Sequence, residues 1–388
     1  MSDTVLITTA DIGIGHFTRA RMIAERLKRD GVEIHFCLSK RYLSEARKQF
    51  KNVHEVPGLS WLENSYGVDM IRSFLNILIP TKNEPSLIMK FIAKYRAIRT
   101  FCDMIEPDVV ISDGDIPTLR RIKRKKEQQR RRKEHEVKCV FNTNTIRPDY
   151  PYILKLFAWL PQYFSEGYMK AADKITFADL PPGKTISAYS LGDPRKFSNL
   201  EFVGPFTDMR RQSGIEDDRS ILVLTSGTEG NRKRFYRKVQ HIMDEFCRQD
   251  DRTWTMALGL DVDYYHKNDV HEVFGYLDEA ELKKRRAKCG LVLHNGSINT
   301  TFEAIACEKA SIVIPTNNQL EQVGNARRVE ELGLGVYLPE KRLNELPFVV
   351  RSMDQNRDGF TRRLERFREY AEGFDGLEET VKYIKSFL

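Results

Sequence analysis

The sequence predicts an α/β fold of two domains, each built on a parallel sheet. The chain has 388 residues, which is too long for one ordinary core and suits two domains of roughly 150 to 200 residues each. Apolar runs alternate with amphipathic helical segments through both halves, and strands joined by helical crossovers form parallel sheets. A polar linker containing Gly204 and Pro205 separates the halves. We therefore expect domains at residues 1–204 and 205–388.

The first half begins with an apolar run followed by a helical segment that Gly31 closes as a C-cap. Strand and helix patterns then alternate up to residue 143. Predicted strands cover 4–10, 32–38, 52–58, 107–113 and 137–143, and predicted helices cover 16–31, 40–50 and 116–136. Two apolar and basic helical segments lie between residues 71 and 105, and an aromatic-rich segment covers residues 150–169.

The second half restarts with a strand, a Gly-rich turn and a helix over residues 220–248. A further strand covers residues 253–260. Residues 291–338 then read as strand, turn, helix, a strand that ends at Pro315, and helix. We expect the closing helices, within residues 357–388, to cross back onto the first domain.

Composition indicates a soluble globular protein, with 41% apolar and 30% charged residues. No apolar run approaches the ~20 residues that span a bilayer. The N-terminus reads directly as a strand, so we expect no signal peptide. Six scattered cysteines form no C-x-x-C pair, which indicates reduced thiols in the cytoplasm and neither a zinc site nor a disulfide framework.

The net charge of +8 is concentrated in residues 120–138, which contain eleven Lys or Arg and three Glu. The rest of the chain balances at 52 basic and 52 acidic residues. We expect so dense a block to be solvated. Together with the aromatic segment 150–169 and the apolar and basic stretch 71–99, it favours an amphiphilic acceptor and contact with anionic lipid. The alternative is that the apolar stretches are core helices and the basic run a solvated helix. We do not expect nucleic acid as a partner, because no binding motif accompanies the charge.

A G-x-G-H turn, Gly13 to His16, follows the first strand. It is not an NAD fingerprint, because Thr18 stands where the third glycine would be and no acidic residue ends the second strand. Asp113 ends a buried strand that can face the same crevice, where its carboxylate would orient His16 as a general base. The alternative is an ordinary turn, with Asp113 as a helix cap.

Polar residues also follow the strands of the second half. Gly296 and Ser297 allow close backbone approach, and Asn299 and Thr300 open a helix whose free N–H groups favour an anion. The small-residue turn 226–228 could contact a diphosphate or be an ordinary loop. Glu321 and Gln322, after the next strand, suit sugar hydroxyls.

Three patterns resemble the donor half of inverting nucleotide-sugar glycosyltransferases with two Rossmann-like domains facing a cleft, the GT-B superfamily. They are N-G-S-I-N-T-x-x-E-A, then I-P-x5-E-Q-x2-N-A, then G-x-G. The G-x-G-H turn and the strand ending V-I-S-D resemble the acceptor half. The superfamily includes UDP-glycosyltransferases for small acceptors and the N-acetylglucosaminyltransferase of lipid-linked peptidoglycan precursor.

The resemblance implies roles for this chain's residues. His16 would deprotonate the acceptor hydroxyl and Asp113 would hold it. The donor would be bound by Ser226, Gly227 and Thr228 over the phosphates, by Gly296, Ser297, Asn299 and Thr300 beneath them, by Glu303 at the ribose, and by Glu321 and Gln322 at the sugar.

Two departures from the family pattern leave questions open. The family's phosphate-binding His lies eight residues before the ribose Glu, where this chain has Asn295, with His294 one place earlier. Either could contact the phosphates, and Asn295 is favoured. The pair Glu321-Gln322 replaces the usual Asp-Gln, which leaves the donor sugar open.

The sequence therefore predicts a cytoplasmic inverting glycosyltransferase using a UDP- or dTDP-sugar as co-substrate, with no other cofactor and no metal. A lipid-linked acceptor and a peripheral position at the inner face of the membrane remain options. The D-x-D matches at 261–263 and 113–115 are in the wrong context for a metal site. Alternatives are a non-hydrolysing UDP-N-acetylglucosamine 2-epimerase of the same fold and a basic binding protein without activity.

Overall fold

The computed structural model describes residues 3–11, 14–59, 62–64, 67–77, 79–81, 84–150, 152–210, 217–260 and 263–388. Within these ranges the chain forms two seven-stranded sheets and one short hairpin. The strands are β1 Thr4–Thr9, β2 Glu33–Leu38, β3 Asn52–Glu55, β4 Glu63–Asn64, β5 Gly67–Val68, β6 Val109–Asp113, β7 Lys138–Thr143, β8 Lys174–Phe177, β9 Leu200–Phe202, β10 Ile221–Leu224, β11 Trp254–Ala257, β12 Tyr265–Lys267, β13 His271–Phe274, β14 Leu291–His294, β15 Ser311–Val313 and β16 Gly335–Tyr337.

Helices connect these strands. They are α1 Ile14–Arg29, α2 Lys40–Arg47, α3 Met70–Leu75, α4 Leu87–Ile105, α5 Ile116–Arg132, α6 Tyr152–Met169, α7 Ala188–Leu191, α8 Glu229–Asp250, α9 Glu279–Lys288, α10 Ile298–Ala306, α11 Leu320–Glu331, α12 Leu346–Gln355, α13 Arg357–Glu372 and α14 Gly376–Lys385. Two predicted helices end early: α2 stops at Arg47, and α5 stops at Arg132 because Lys133 adopts a left-handed conformation with φ of 59°.

The first sheet has the order β3-β2-β1-β6-β7-β8-β9, with all strands parallel. The register pairs Thr9 with Asp113 and Asp113 with Asn142. Because parallel strands end at one edge, these positions and the start of α1 lie together. The sheet is covered on both faces, as its continuous apolar strands require.

The second sheet has the order β12-β13-β11-β10-β14-β15-β16, in which β12 is antiparallel. Leu224 pairs with His294, and His294 pairs with Val313. The loops that follow β10, β14 and β15 therefore share one edge. Buried Trp254 and Phe302 belong to the core that packs on this sheet.

The last helix returns to the first domain. Val381 and Ile384 of α14 lie in the core cluster that contains Val5 and Ile23. Arg26 Nε donates to Glu378 at 2.8 Å on the surface. The predicted fold class, two Rossmann-like domains with a C-terminal helix crossing back, is confirmed. None of the described helices is both long enough and apolar enough to span a membrane.

Candidate active site at the cleft between the sheets

His16 and Asp113 are in direct contact. His16 lies in the first turn of α1, and its Nδ1 is 2.5 Å from Asp113 Oδ1. The imidazole keeps 16% of its surface exposed, whereas the carboxylate is fully buried. A carboxylate only accepts, so Nδ1 donates in this contact and Nε2 carries the lone pair; Arg19 Nη2, 3.0 Å from Nδ1, then donates to Asp113 and not to the ring. Gly13 of the same turn lies outside the described residues.

Asp113 is held by two further side chains that the sequence analysis did not identify. Arg19 donates to both carboxylate oxygens, at 2.7 Å to Oδ1 and 3.1 Å to Oδ2. Asn142 donates to Oδ2 at 2.6 Å, and Thr176 fixes the Asn142 amide by donating to its Oδ1. Burial alone would raise the pKa of Asp113, but the charge of Arg19 and the hydrogen bond from His16 hold it below its ordinary value. The carboxylate therefore stays ionised beside His16.

Gly114 keeps open the space that the imidazole occupies. Its φ is +69°, and a Cβ at this position would lie 2.6 Å from His16 Cε1 and 2.9 Å from Nδ1. Only glycine satisfies both the backbone conformation and the contact.

A buried lysine connects the ends of β1 and β6. Lys94 Nζ lies 2.9 Å from Asp11 and 2.7 Å from Asp115, and it donates to the Thr9 carbonyl at 3.0 Å. Burial would lower the pKa of Lys94, but Asp115 and Asp11 together raise it. Asp115 also caps α5 through Thr118 N. The D-x-D match at 113–115 thus consists of carboxylates already engaged by Arg, Lys, His and a helix cap.

The His16 turn faces the second domain directly. A Cβ placed on Gly15 would lie 3.5 Å from Asn299 Nδ2, in the first turn of α10. The candidate base and the N-terminus of α10 therefore lie on opposite sides of one narrow cleft.

The start of α10 has uncompensated N–H groups. Its N-cap, Ser297, makes no side-chain cap hydrogen bond, and no acidic residue lies in the first turn. Gly296 has φ of +88°, and a Cβ there would lie 2.8 Å from the Gln322 carbonyl oxygen. This close packing leaves the turn and the positive end of the helix dipole directed at the cleft.

The two candidates for the phosphate contact, His294 and Asn295, both have structural roles here. Asn295 Oδ1 accepts from Ser226 N at 3.2 Å and Oγ at 2.8 Å, and its Nδ2 donates to Ser226 O at 2.9 Å. His294 is fully buried, accepts from Gly296 N at 3.1 Å, and has its pKa lowered by burial to about 3. The Asn295 amide thus joins the loops that follow β10 and β14. Which of the two residues contacts the phosphates stays a prediction.

The predicted ribose and sugar residues are partly engaged. Glu303 Oε2 is paired with buried Arg286 at 2.8 Å, and 27% of its side chain remains exposed. Glu321 Oε1 accepts from Asn144 of the first domain at 2.7 Å. Gln322 Oε1 accepts from Thr316 N at 2.8 Å, which fixes the loop after β15. Arg286 and Asn144 were not identified from the sequence.

Of two other predicted positions, Thr228 has a local structural role, and the match at 261–263 is only partly described. Thr228 caps α8 by accepting from Asn231 N. Residues 261 and 262 of the second D-x-D match lie outside the described residues. No cluster of three or more potential metal ligands occurs among the residues that are described. All six cysteines are free and buried.

The basic run is only partly a solvated surface. Contrary to expectation, Arg121 and Lys126 are buried, where Arg121 pairs with Asp103 and Lys126 pairs with Asp173 at 2.5 Å. The residues at 131–133 are exposed. The run therefore anchors α5 with some charges and presents others to solvent.

Helices α4, α5 and α6 form a continuous face on the first domain. The Arg120 guanidinium lies over Phe91 and Tyr95 of α4, at 5.6 and 5.1 Å. A groove of about 640 Å³ separates α5 from α6. Exposed aromatic and aliphatic side chains border this face at Ile88, Met89, Trp159, Tyr163 and Phe164. The side chains of residues 152–158, including Phe157, lie outside the described part of the chain.

Comparisons with known proteins match both domains. Residues 4–126 match the family described as Glycosyl transferase family 1, and residues 247–372 match the Glycosyltransferase family 28 C-terminal domain. The chain is 26% identical over 196 residues to the NDP-glycosyltransferase YjiC of Bacillus subtilis, covering 48% of each chain.

A second relative is the UDP-N-acetylglucosamine--N-acetylmuramyl-(pentapeptide) pyrophosphoryl-undecaprenol N-acetylglucosamine transferase of Clostridium perfringens. It is 24% identical over 179 residues, which is 45% of this chain and 49% of the relative. The chain thus matches about half the length of these curated relatives. The solved structure of the glycotransferase of kitacinnamycin aligns with a TM-score of 0.68 at 13% identity, covering 100% of this chain and 99% of the other. That likeness shows a shared fold.

Proposed function

Because the chain belongs to the GT-B superfamily of glycosyltransferases, we propose that it transfers a sugar from a UDP- or dTDP-sugar to a hydroxyl acceptor with inversion of the anomeric centre. The observation that carries this proposal is the contact of His16 with ionised Asp113, placed across a narrow cleft from the start of α10. A general base and an anion-binding helix end are what this reaction needs on the two sides of the sugar.

In the proposed reaction, His16 Nε2 accepts the proton of the acceptor hydroxyl. The acceptor oxygen forms a bond to the anomeric carbon from the face opposite the diphosphate. The bond between that carbon and the phosphate oxygen breaks, and its electron pair stays on the leaving nucleoside diphosphate. Asp113 holds the tautomer with Nδ1 protonated and stabilises the imidazolium that forms.

The leaving group would be stabilised by the second domain. N–H groups of Ser297 to Thr300 and the α10 dipole provide positive potential where charge develops. Glu303 has one oxygen beyond its Arg286 contact to accept from a ribose hydroxyl. Glu321 and Gln322 are proposed to contact the sugar. Since amides and a helix end provide the electrostatic stabilisation, the proposed mechanism needs no metal.

We further propose a lipid-linked acceptor, reached from an anionic membrane surface on the cytoplasmic side. The support is the face formed by α4, α5 and α6, where Lys123 and Arg130 line one groove with the exposed side chains of Tyr163 and Phe164. Aromatic and basic residues together favour binding at the headgroup level. The Clostridium perfringens relative is named for an undecaprenol-linked substrate, which agrees with this proposal.

The first experiment is a thermal-shift screen with UDP, dTDP, their sugars and NAD, because a ligand that binds only the folded state raises the melting temperature. We expect shifts with nucleoside diphosphates and none with NAD. Hits would then be incubated with polyprenol-linked and soluble acceptors, and the product's anomeric configuration read by NMR. The proposal is wrong if no nucleoside diphosphate shifts the melting temperature. A 2-epimerase would instead convert a UDP-sugar without any acceptor.

A further inference from the structure

We propose that Arg41 and Arg232 form a two-domain anion site that binds the donor diphosphate, with Arg41 reaching across the cleft from the first domain. This inference rests on the proposed function. It adds two cations to a phosphate site so far built from loop amides and a helix end.

Both guanidinium groups converge on one carbonyl. Arg41, on α2, donates from Nη2 to Gly227 O at 3.0 Å. Arg232, on α8, donates from Nε to the same oxygen at 3.0 Å. A single carbonyl therefore receives one arginine from each domain, at the turn predicted to close over the phosphates.

Neither cation has a carboxylate partner in the described part of the chain. Among the described residues no carboxylate forms an ion pair with Arg41 or Arg232, and the nearby Glu229 is paired with Lys233 at 2.5 Å. Arg232 is only 5% exposed, and its other hydrogen bonds go to the carbonyls of Leu258 and Gly259. Buried charge without a counter-charge is unfavourable.

The effect of this crowding is visible in the proton affinity of Arg232. Burial and, to a smaller extent, the positive charge of Arg41 lower the pKa of Arg232 to about 10. An anion bound between the two groups would offset the free-energy cost of burying Arg232 and reduce the repulsion between the two cations.

Arg41 is held in position by an aromatic stack. Its guanidinium lies 5.5 Å from the ring centroid of Tyr42. Tyr42 stacks on Phe17 with centroids 4.9 Å apart and planes 7° apart, and Phe17 directly follows His16. The cation is thus connected to the element that carries the candidate base.

The position of the pair identifies the anion as the donor diphosphate. Gly227 follows Ser226, which Asn295 joins to the turn before α10. The cations therefore border the same loops that are proposed to hold the phosphates. A diphosphate carries several negative charges and gains one more when the sugar leaves, and guanidinium groups bind such oxyanions through charge-assisted hydrogen bonds.

The test uses Arg41→Gln, because Arg41 is exposed and its loss should not unfold the protein. Arg47→Gln is the matched control, since it removes one exposed arginine from the same helix. Binding of UDP, uridine and inorganic pyrophosphate is measured by calorimetry for parent and variants. We expect Arg41→Gln to weaken UDP and pyrophosphate by about tenfold or more, with uridine affinity unchanged and Arg47→Gln equal to the parent.

Each outcome decides a separate point. Equal UDP and pyrophosphate binding by parent and Arg41→Gln overturns the anion site, and so does an equal loss in Arg47→Gln. If the parent binds pyrophosphate through Arg41 but no nucleotide, the anion site stands and the proposed function fails. If the parent binds neither pyrophosphate nor any nucleoside diphosphate of the thermal-shift screen, both are wrong.

Discussion

Replacing Gly114 by alanine should displace the candidate base, His16, without substituting any residue that is proposed to bind substrate. The added Cβ would lie 2.6 Å from His16 Cε1 and 3.2 Å from Ala10 Cβ. Carbon atoms in contact normally lie about 3.5–4.0 Å apart. The imidazole, as the mobile partner, must therefore move by about 1 Å or rotate away from Asp113.

The size of the effect follows from two separate terms. An alanine in a left-handed conformation costs about 1–2 kcal/mol of folding stability, because Gly114 has φ of +69°. A misplacement of about 1 Å in a reacting group can reduce turnover about 100-fold. We therefore expect a modest loss of stability and a large loss of turnover.

Gly31→Ala is the matched control. Gly31 has φ of +84° and nothing within 4 Å of its Cβ position, so it carries the backbone strain without the collision. Urea unfolding should show similar losses for the two variants. Turnover of the best donor, and imidazole NMR signals of His16 in protein without substrate, should change only in Gly114→Ala. Equal turnover and unchanged His16 signals in both variants would refute the reasoning.

Three further predictions concern the same domain. His16→Ala should lower turnover, measured by steady-state kinetics, at least about 100-fold. Donor affinity, measured by calorimetry, should stay nearly unchanged. Unchanged turnover would remove His16 from the mechanism. The pKa of Asp113 is lowered from its ordinary value of 3.8. Its ionised form therefore stabilises the fold above that pH, and this contribution is lost as the pH falls through the lower pKa of the folded state. Urea unfolding from about pH 6 to 3 should therefore show the parent's advantage over Asp113→Asn shrinking toward acid, and a constant difference would contradict the ion pair. Neutralising residues 131–133 should weaken binding to anionic liposomes roughly tenfold or more. Neutralising the exposed Lys341 and Arg362 of the second domain is the control and should leave binding unchanged. Equal binding by the parent and both variants would reject the membrane face.

The fold was predictable because its signals are local. The central strands of both sheets are short apolar runs bounded by turn residues, and periodicity locates them. Strands β8, β9, β12 and β13 were not predicted, and β12, Tyr265–Lys267, is polar and exposed. The common edge of the parallel strands then predicted that His16 and Asp113 would lie together, and they are in contact.

Arg19 and Lys94 were not predictable in the same way. An arginine three residues after His16 on an amphipathic helix, and a lysine within a basic helix, both read as surface charges. Their burial depends on carboxylates far away in sequence: Asp113 for Arg19, and Asp11 and Asp115 for Lys94. Local sequence patterns identify the charged side chain but not the distant carboxylate that pairs with it.

The choice between His294 and Asn295 depended on the same kind of distant information. Spacing within the motif favoured Asn295, but its amide is satisfied by Ser226, 69 residues earlier. Spacing alone does not reveal which polar atoms another loop already uses.

The contacts across the cleft divide into two sets with different consequences for substrate binding. Arg328 of α11 donates to the carbonyls of Gly183 and Thr185, and none of these residues has a proposed substrate role. In contrast, Asn144 contacts Glu321 and Arg41 contacts Gly227, so these contacts use groups that the sugar and diphosphate are proposed to engage. Exchange of one hydrogen-bond partner for another is nearly neutral in free energy, whereas leaving a buried polar group unpaired is costly. Substrate can therefore replace the second set at little cost while the first set keeps the domains aligned, and the site stays satisfied in both states.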